Sequence, residues 1–340
     1  MTDAPALRRR KRWPMALGLG GLVVWVAALV AGVVILFATA SPVRFNGASK
    51  WDEDRLFGSG TDKVALIKIQ GEIVPGEGGG GGVLGRGSLG SDDYVSQLRQ
   101  ALEDDDVQSV VIRLDTPGGS VVASDDVYRM VRLLRSRGKH VVASMGDVAA
   151  SGGYYIASAC DAIIANRATI TGSIGVIAMF LNLEGTAKKI GAKPVVIKSG
   201  PHKDIGSPFR ELTAEERAIL QKLIDEAYLQ FLNAVADGRG MPVDQVRRIA
   251  DGRVLSGAQA KDAHLVDDFG DVRDAYLKAR DLAGITRARF VEYVPPGIGL
   301  GSLLGGKVRL GDEIRSAVRE AGADLTGLPT RPGLEYLWVQ

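Results

Sequence analysis

One cysteine, Cys160, stands among 340 residues. No intramolecular disulfide can form, and a thiolate-based zinc or iron–sulfur site lacks its ligands. Histidine is almost as scarce: His140, His202 and His264 are the only three. A histidine-rich metal centre is therefore disfavoured, and the expectation is a chain that works with no metal or organic cofactor. Net charge is also small, with 42 Lys plus Arg against 40 Asp plus Glu. The basic surplus sits in one place, because Arg8, Arg9, Arg10, Lys11 and Arg12 face Asp3 alone within residues 1–40. The rest of the chain is slightly acidic, which argues against a nucleic-acid binder. Aromatic residues make up only 6%, but hydrophobic residues reach 46%, ordinary for an α/β chain that buries a sizeable core.

What the sequence does have is a long uncharged run. Met15 to Ala40 contains 26 residues without a charge. As a helix it would be roughly 39 Å long, enough to cross a hydrocarbon core of about 30 Å with some tilt. A cleavable signal peptide competes with this reading, since Ala38-Thr39-Ala40 resembles a cleavage site after a basic stretch. The apolar part of a signal peptide is usually about 7–15 residues, however, so a retained anchor in the lipid bilayer is the better expectation. Arg8 to Arg12 then stay cytoplasmic and everything after Ala40 is extracytoplasmic.

The expected organisation is a cytoplasmic N-terminus (1–14), an anchor (15–40), a linker (41–62), an α/β domain (63–295) and a tail (296–340). Apolar runs at Val64–Ile69, Val110–Leu114, His140–Ser144, Ala162–Ala165 and Pro194–Ile197 read as strands, alternating with amphipathic stretches. That order predicts a fold of stacked βα units with a largely parallel sheet. Thr213 and Glu216 have capping-box spacing ahead of a long helix carrying Leu220, Ile224, Ala227, Phe231 and Ala234. Shorter helices are expected at Pro242–Ile249, Gly257–Ala263 and Asp271–Leu282, a strand at Arg289–Tyr293, and a tail helix with Ile314, Val318 and Ala321. The glycine-rich run Gly76–Gly90 reads as a surface loop.

Three segments could carry chemistry. Asp115-Thr116-Pro117-Gly118-Gly119-Ser120 follows a strand, and its paired glycines would let backbone N–H groups approach an oxyanion. Gly146 to Tyr155 crowds small residues around Ser151, as a strand-to-helix turn requires if a nucleophile is to be presented. Ser151 could equally be a plain helix cap. A serine nucleophile needs a base, and His202, His264 or a lysine with a lowered pKa could serve. His140 is a poor candidate because it lies at the opposite end of its strand. Lys203 is the lysine of the third segment, Ser199 to Pro208.

Together these segments resemble the signal peptide peptidase A (protease IV) family, in its short bacterial form. The resemblance rests on Asp115-Thr116-Pro117-Gly118-Gly119, Ala150-Ser151-Gly152-Gly153-Tyr154-Tyr155, Thr171-Gly172-Ser173-Ile174-Gly175-Val176 and Lys203-Asp204-Ile205-Gly206-Ser207-Pro208-Phe209-Arg210. Gly252-Arg253-Val254, Gly257-Ala258-Gln259-Ala260 and Leu265-Val266-Asp267 extend it. It implies a crotonase/Clp-protease-like fold and a homo-oligomeric ring whose neighbouring chains complete the substrate grooves. It further implies Ser151 as nucleophile, Lys203 as general base, Ser173 orienting the lysine, and Gly118 and Gly152 as oxyanion donors. The implied substrates are remnant signal peptides and other unfolded or membrane polypeptides in the bacterial inner membrane. His264 departs from the family, which often has glycine there. An acyl-CoA enzyme of crotonase type, or a silent peptide-binding membrane scaffold, are the readings from other classes.

Overall fold

The computed structural model describes residues 51–78, 89–295 and the backbone of 335–337. The expected anchor at 15–40, the centre of the glycine-rich loop and the expected tail helix lie outside the described residues. Among the described residues no helix is long and apolar enough to cross a membrane.

A nine-stranded sheet organises the chain, its main path running β1 (Asp52–Gly58), β10 (Arg289–Val294), β2 (Lys63–Gln70), β3 (Val107–Thr116), β5 (His140–Ala150), β6 (Ala162–Ala165) and β9 (Asp268–Phe269). Every pairing from β10 to β9 is parallel, and only β1 joins antiparallel. Parallel strands covered on both faces are expected to carry near-continuous apolar runs, and β2 and β3 do at Val64–Ile67 and Val110–Ile112. Strand alternation then divides the core in two. Ala65, Ile67 and Ile69 face the helices α1 (Ser91–Glu103), α2 (Val121–Ser136), α3 (Gly152–Ser158) and α5 (Ala214–Arg239), with Leu98, Val127, Tyr154 and Phe231 in one cluster. Val64 and Leu66 face the other way, against Ala275, Tyr276 and Ala279 of α8 (Val272–Leu282). The short helices α4 (Glu184–Lys189), α6 (Val243–Ile249) and α7 (Gly257–Asp262) complete the set.

β5 forks. Val142–Ser144 pair with Ala162–Ile164 of β6, whereas Val148–Ala150 pair with β7 (Ile170–Gly172). β7 in turn pairs antiparallel with β8 (Val254–Ser256). Outside this sheet, β4 (Gly118–Ser120) pairs with β11 (Glu335–Leu337). β5 thus continues past Gly146, where the small-residue pattern suggested that the turn began.

Two expectations change. Residues 51–62 are not linker: β1 forms the sheet edge, and Trp51 is buried, its indole N–H donating to Ser96 Oγ at 3.1 Å. β1 escaped notice because an edge strand reading Asp-Glu-Asp-Arg has no apolar alternation. Pro194–Ile197 is not a strand, and Val195 and Ile197 are 86% and 97% exposed. Helix α5 has its Thr213–Glu216 capping box and ends at Gly240 in the left-handed region (φ 61°). Apart from Glu216, its buried residues all lie in the second half, and Ile219, Leu223 and Leu229 are exposed.

Candidate active site

Ser151 stands where β5 ends and α3 begins, with φ 53° and ψ −115°. Such a backbone is costly for a residue with a Cβ, of order 1–3 kcal/mol, and persists only where the surroundings enforce it. Here the Ser151 N–H donates to Gly172 O at 2.9 Å, and its own carbonyl accepts from Tyr155 N–H at 2.8 Å. Tyr154 and Tyr155 anchor α3, the first through its hydroxyl to Leu265 O (3.0 Å) and the second to Asp125 Oδ1 (2.7 Å). The side chain is 1% exposed, yet its Oγ has no hydrogen-bond partner among the described residues. A cap serine would satisfy its hydroxyl on the helix N-terminus. This one does not cap, and a buried polar atom without a partner calls for an explanation.

The diglycine turn lies against this elbow. Thr116 pairs with Ala149 across the β3–β5 ladder. Its Cγ2 is only 2.7 Å from where a Cβ on Gly153 would be, so Gly153 is required for the first turn of α3 to approach the turn before Gly118. Gly119 is equally constrained: at φ 154°, a Cβ would meet Ile73 O at 2.2 Å. The Gly118 N–H is engaged, donating to Thr116 Oγ1 at 3.0 Å. Gly152 is the first residue of α3, where an N–H has no intrahelical acceptor. Ser173 follows Gly172 directly, is buried, has φ 49°, and donates its N–H to Arg253 O at 2.9 Å. The structure therefore brings Ser151, Gly152, Gly118 and Ser173 into one neighbourhood.

Lys203 is placed differently. It lies in the turns of Pro201–Gly206, exposed, and its side chain makes no hydrogen bond or ion pair among the described residues. The next residue is held firmly. Asp204 accepts from Lys198 Nζ at 2.6 Å and from Arg210 Nε and Nη2 at 3.0 and 2.8 Å. Arg210 also donates to Glu216 at 2.5 and 2.8 Å, and Glu216 is itself part of the α5 capping box. The Arg210 guanidinium, with Lys198, holds the Asp204 carboxyl well below the usual range. Arg210 likewise pulls Glu216 down to about 2, helped by the Thr213 N–H. Thr116, Gly153 and Arg210 belong to the motifs quoted above and Glu216 to the capping box, but the sequence reading assigned no contact in the site to Thr116, Gly153 or the Arg210–Glu216 pair.

Two of the three histidines sit beside carboxylates. His140 approaches Asp161 at 3.8 Å and His202 approaches Glu215 at 3.4 Å. His264 has φ 60°, the left-handed geometry that a glycine would adopt freely.

A buried serine with an unpartnered hydroxyl, just past the end of a forked strand and beside a diglycine turn, is the arrangement a serine hydrolase site requires. Residues 134–286 match the family model described as "Peptidase family S49". A candidate protease of Synechocystis sp. is 46% identical over 66% of this chain and 75% of its own length. A candidate signal peptide peptidase SppA of Enterococcus faecium is 32% identical over 78% of this chain and 77% of its own. Protease 4 of Salmonella typhi is 38% identical over 65% of this chain, which spans only 34% of that larger protein. Among solved structures, a point mutant of ClpP1 from Listeria monocytogenes superposes with TM-score 0.39 and 19% identity, covering 62% of this chain and 93% of that one. The chain belongs to peptidase family S49 and is a serine protease.

Proposed function

We propose that the chain is a membrane-anchored serine endopeptidase that uses Ser151 and Lys203 to degrade remnant signal peptides and other extracytoplasmic or membrane polypeptides. The observation that carries this reading is the Ser151 hydroxyl: strained, buried and without a partner, as a nucleophile awaiting its base would be. Lys203 takes the proton of Ser151 as Oγ attacks the peptide carbonyl, and the developing oxyanion is held by backbone N–H groups. Gly152 offers such a group directly, and Gly118 offers one on release from Thr116 Oγ1. The lysine ammonium gives the proton from Ser151 to the leaving nitrogen as the peptide C–N bond breaks, and the free amine then takes a proton from the water that hydrolyses the acyl-enzyme. Ser173, following the residue that anchors Ser151, orients the lysine amine.

Within one chain Lys203 and Ser151 are not hydrogen-bonded, and the loop carrying Lys203 adjoins an exposed apolar arm. Ile177, Met179, Phe180 and Leu181 are uncovered there. We read this as the face that a neighbouring chain covers in a homo-oligomeric ring, bringing the loop onto a serine. Such a face supports assembly better than it supports a monomer.

The full chain in detergent, given casein, tests the reading. Wild type should hydrolyse it, and Ser151→Ala and Lys203→Ala, each folded by circular dichroism, should not. A fluorophosphonate should label wild type at Ser151. Activity surviving Lys203→Ala would remove the lysine from its role, and an unlabelled, inactive wild type would favour a silent peptide-binding scaffold.

A further inference from the structure

The residue after Lys203 is a carboxylate. Consecutive Cα atoms lie about 3.8 Å apart, within the sweep of a lysine's flexible stem, so Asp204 is the natural ion-pair partner of Lys203. The two nevertheless do not pair, and Lys203 makes no ion pair among the described residues. Both oxygens of Asp204 are spent elsewhere. Oδ1 accepts from Lys198 Nζ at 2.6 Å and from Arg210 Nη2 at 2.8 Å, and Oδ2 accepts from Arg210 Nε at 3.0 Å. Arg210 Nη2 also reaches the Asp204 carbonyl at 3.2 Å, and Lys198 Nζ donates to Pro201 O at 2.8 Å. Two further carboxylates stand by the turn. Glu216 is bound by Arg210, and Glu215 lies beside His202 at 3.4 Å. The side chains of Asp204 and Glu216 are only 14% and 2% exposed, so the guanidinium fork binds both where little water competes.

We propose that Arg210 is a positioning residue for Lys203: with Lys198 it sequesters the Asp204 carboxylate, so that the lysine stays out of an ion pair and free to reach a serine hydroxyl. The charges are arranged for this. Lys198 and Arg210 balance Asp204 and Glu216, and the turn offers Lys203 no surplus negative charge. Without the Arg210 charge, two carboxylates face Lys198 alone, and Lys203 is the next basic group within reach. A brace that merely held the turn to α5 would act whether or not Asp204 carried a charge. Sequestration acts only through that charge, which separates the two roles by experiment. The sequestration stands on the geometry of Asp204, whereas its catalytic meaning rests on the Ser151–Lys203 reading above.

Variants of the full chain in detergent test this. Arg210→Gln should lower kcat on casein about two- to fivefold with KM unchanged, the population change that an exposed ion pair of ordinary strength produces. Adding Asp204→Asn to Arg210→Gln should restore most of kcat, although it breaks the clamp a second time. Arg210→Lys, which keeps the charge without the fork, should fall between Arg210→Gln and wild type. Trace labelling with acetic anhydride, located by mass spectrometry in a Ser151→Ala background, reads the Lys203 amine without catalysis. Labelling of Lys203 should slow by the same factor in Arg210→Gln and recover in the double variant. Lys198→Ala, at an exposed position, repeats both measurements should Arg210→Gln fail to fold. A double variant no more active and no more reactive than Arg210→Gln would overturn sequestration, as would unchanged labelling in Arg210→Gln or its substitute. Slowed labelling with unchanged kcat, in a protein that Lys203→Ala inactivates, would overturn the positioning role. If labelling behaves as expected but Lys203→Ala keeps full activity, the sequestration stands and the Ser–Lys reading fails.

Discussion

Gly153→Ala is a small change with a calculable effect. The added methyl would sit 2.7 Å from Thr116 Cγ2 and 3.4 Å from Thr116 O. Carbon–carbon contacts favour about 3.5–4.0 Å, so Thr116 or the start of α3 must yield by roughly 1 Å. Overpacking of this kind costs about 1–3 kcal/mol, and the better helix propensity of alanine offsets about 0.5–1 of it. A net loss of about 0.5–2 kcal/mol is expected. The effect on catalysis should be larger, because the displacement separates the diglycine turn from Ser151, and about 1 Å of misplacement can cost on the order of 10²-fold. Thr116→Ser supplies the control. It removes the Cγ2 methyl but keeps the hydroxyl that accepts from Gly118 N–H. In that background Gly153→Ala should fit, giving a coupling of about 1–2 kcal/mol in urea unfolding and recovery of most of kcat/KM. Equal losses in both backgrounds would refute the argument that contact with the Thr116 methyl dictates glycine at 153.

Ser151→Gly should be more stable than Ser151→Ala by about 1–2 kcal/mol in thermal unfolding, because glycine tolerates the φ of 53° that alanine cannot. His264→Gly should raise stability by about 0.5–1 kcal/mol for the same reason at φ 60°, a rise of about 1–4 °C in Tm, with no change in kcat. Glu216 has a depressed folded pKa, about 2, so its contribution is complete above the unfolded carboxyl range and is lost as pH falls from about 5 toward 2. A Tm–pH series should therefore show a steeper acid limb in wild type than in Glu216→Gln.

The central architecture was readable because β2, β3, β5 and β6 each carry a short apolar run and α5 announces itself with Thr213 and Glu216. β1 was not readable, because its charged residues face solvent and its place comes from pairing with a strand over 200 residues away in sequence. Val195-Val196-Ile197 misled for the opposite reason: the β-prone residues are present, but no partner strand meets them among the described residues. At the site, the small residues suggested an elbow at Ser151 and a tight diglycine turn, but left a plain helix cap open until the family resemblance was added. Their contact through Thr116 and Gly153 is a tertiary fact. The Asp204–Arg210–Glu216 ties join residues 6 apart through loop geometry that no periodicity encodes. The departure at His264 did signal its left-handed backbone.

The fork in β5 has a bearing on how such an enzyme can change. Upstream of Gly146 the strand answers to β6, and beyond it to β7 and, through Gly172 O, to Ser151. The sheet is thus two frameworks sharing one strand. The outer one, through β6 and β9, can accept new side chains, new lengths or a looser fit while the inner one keeps its angles. Lineages are free to remodel one side of this molecule without renegotiating the geometry of the other.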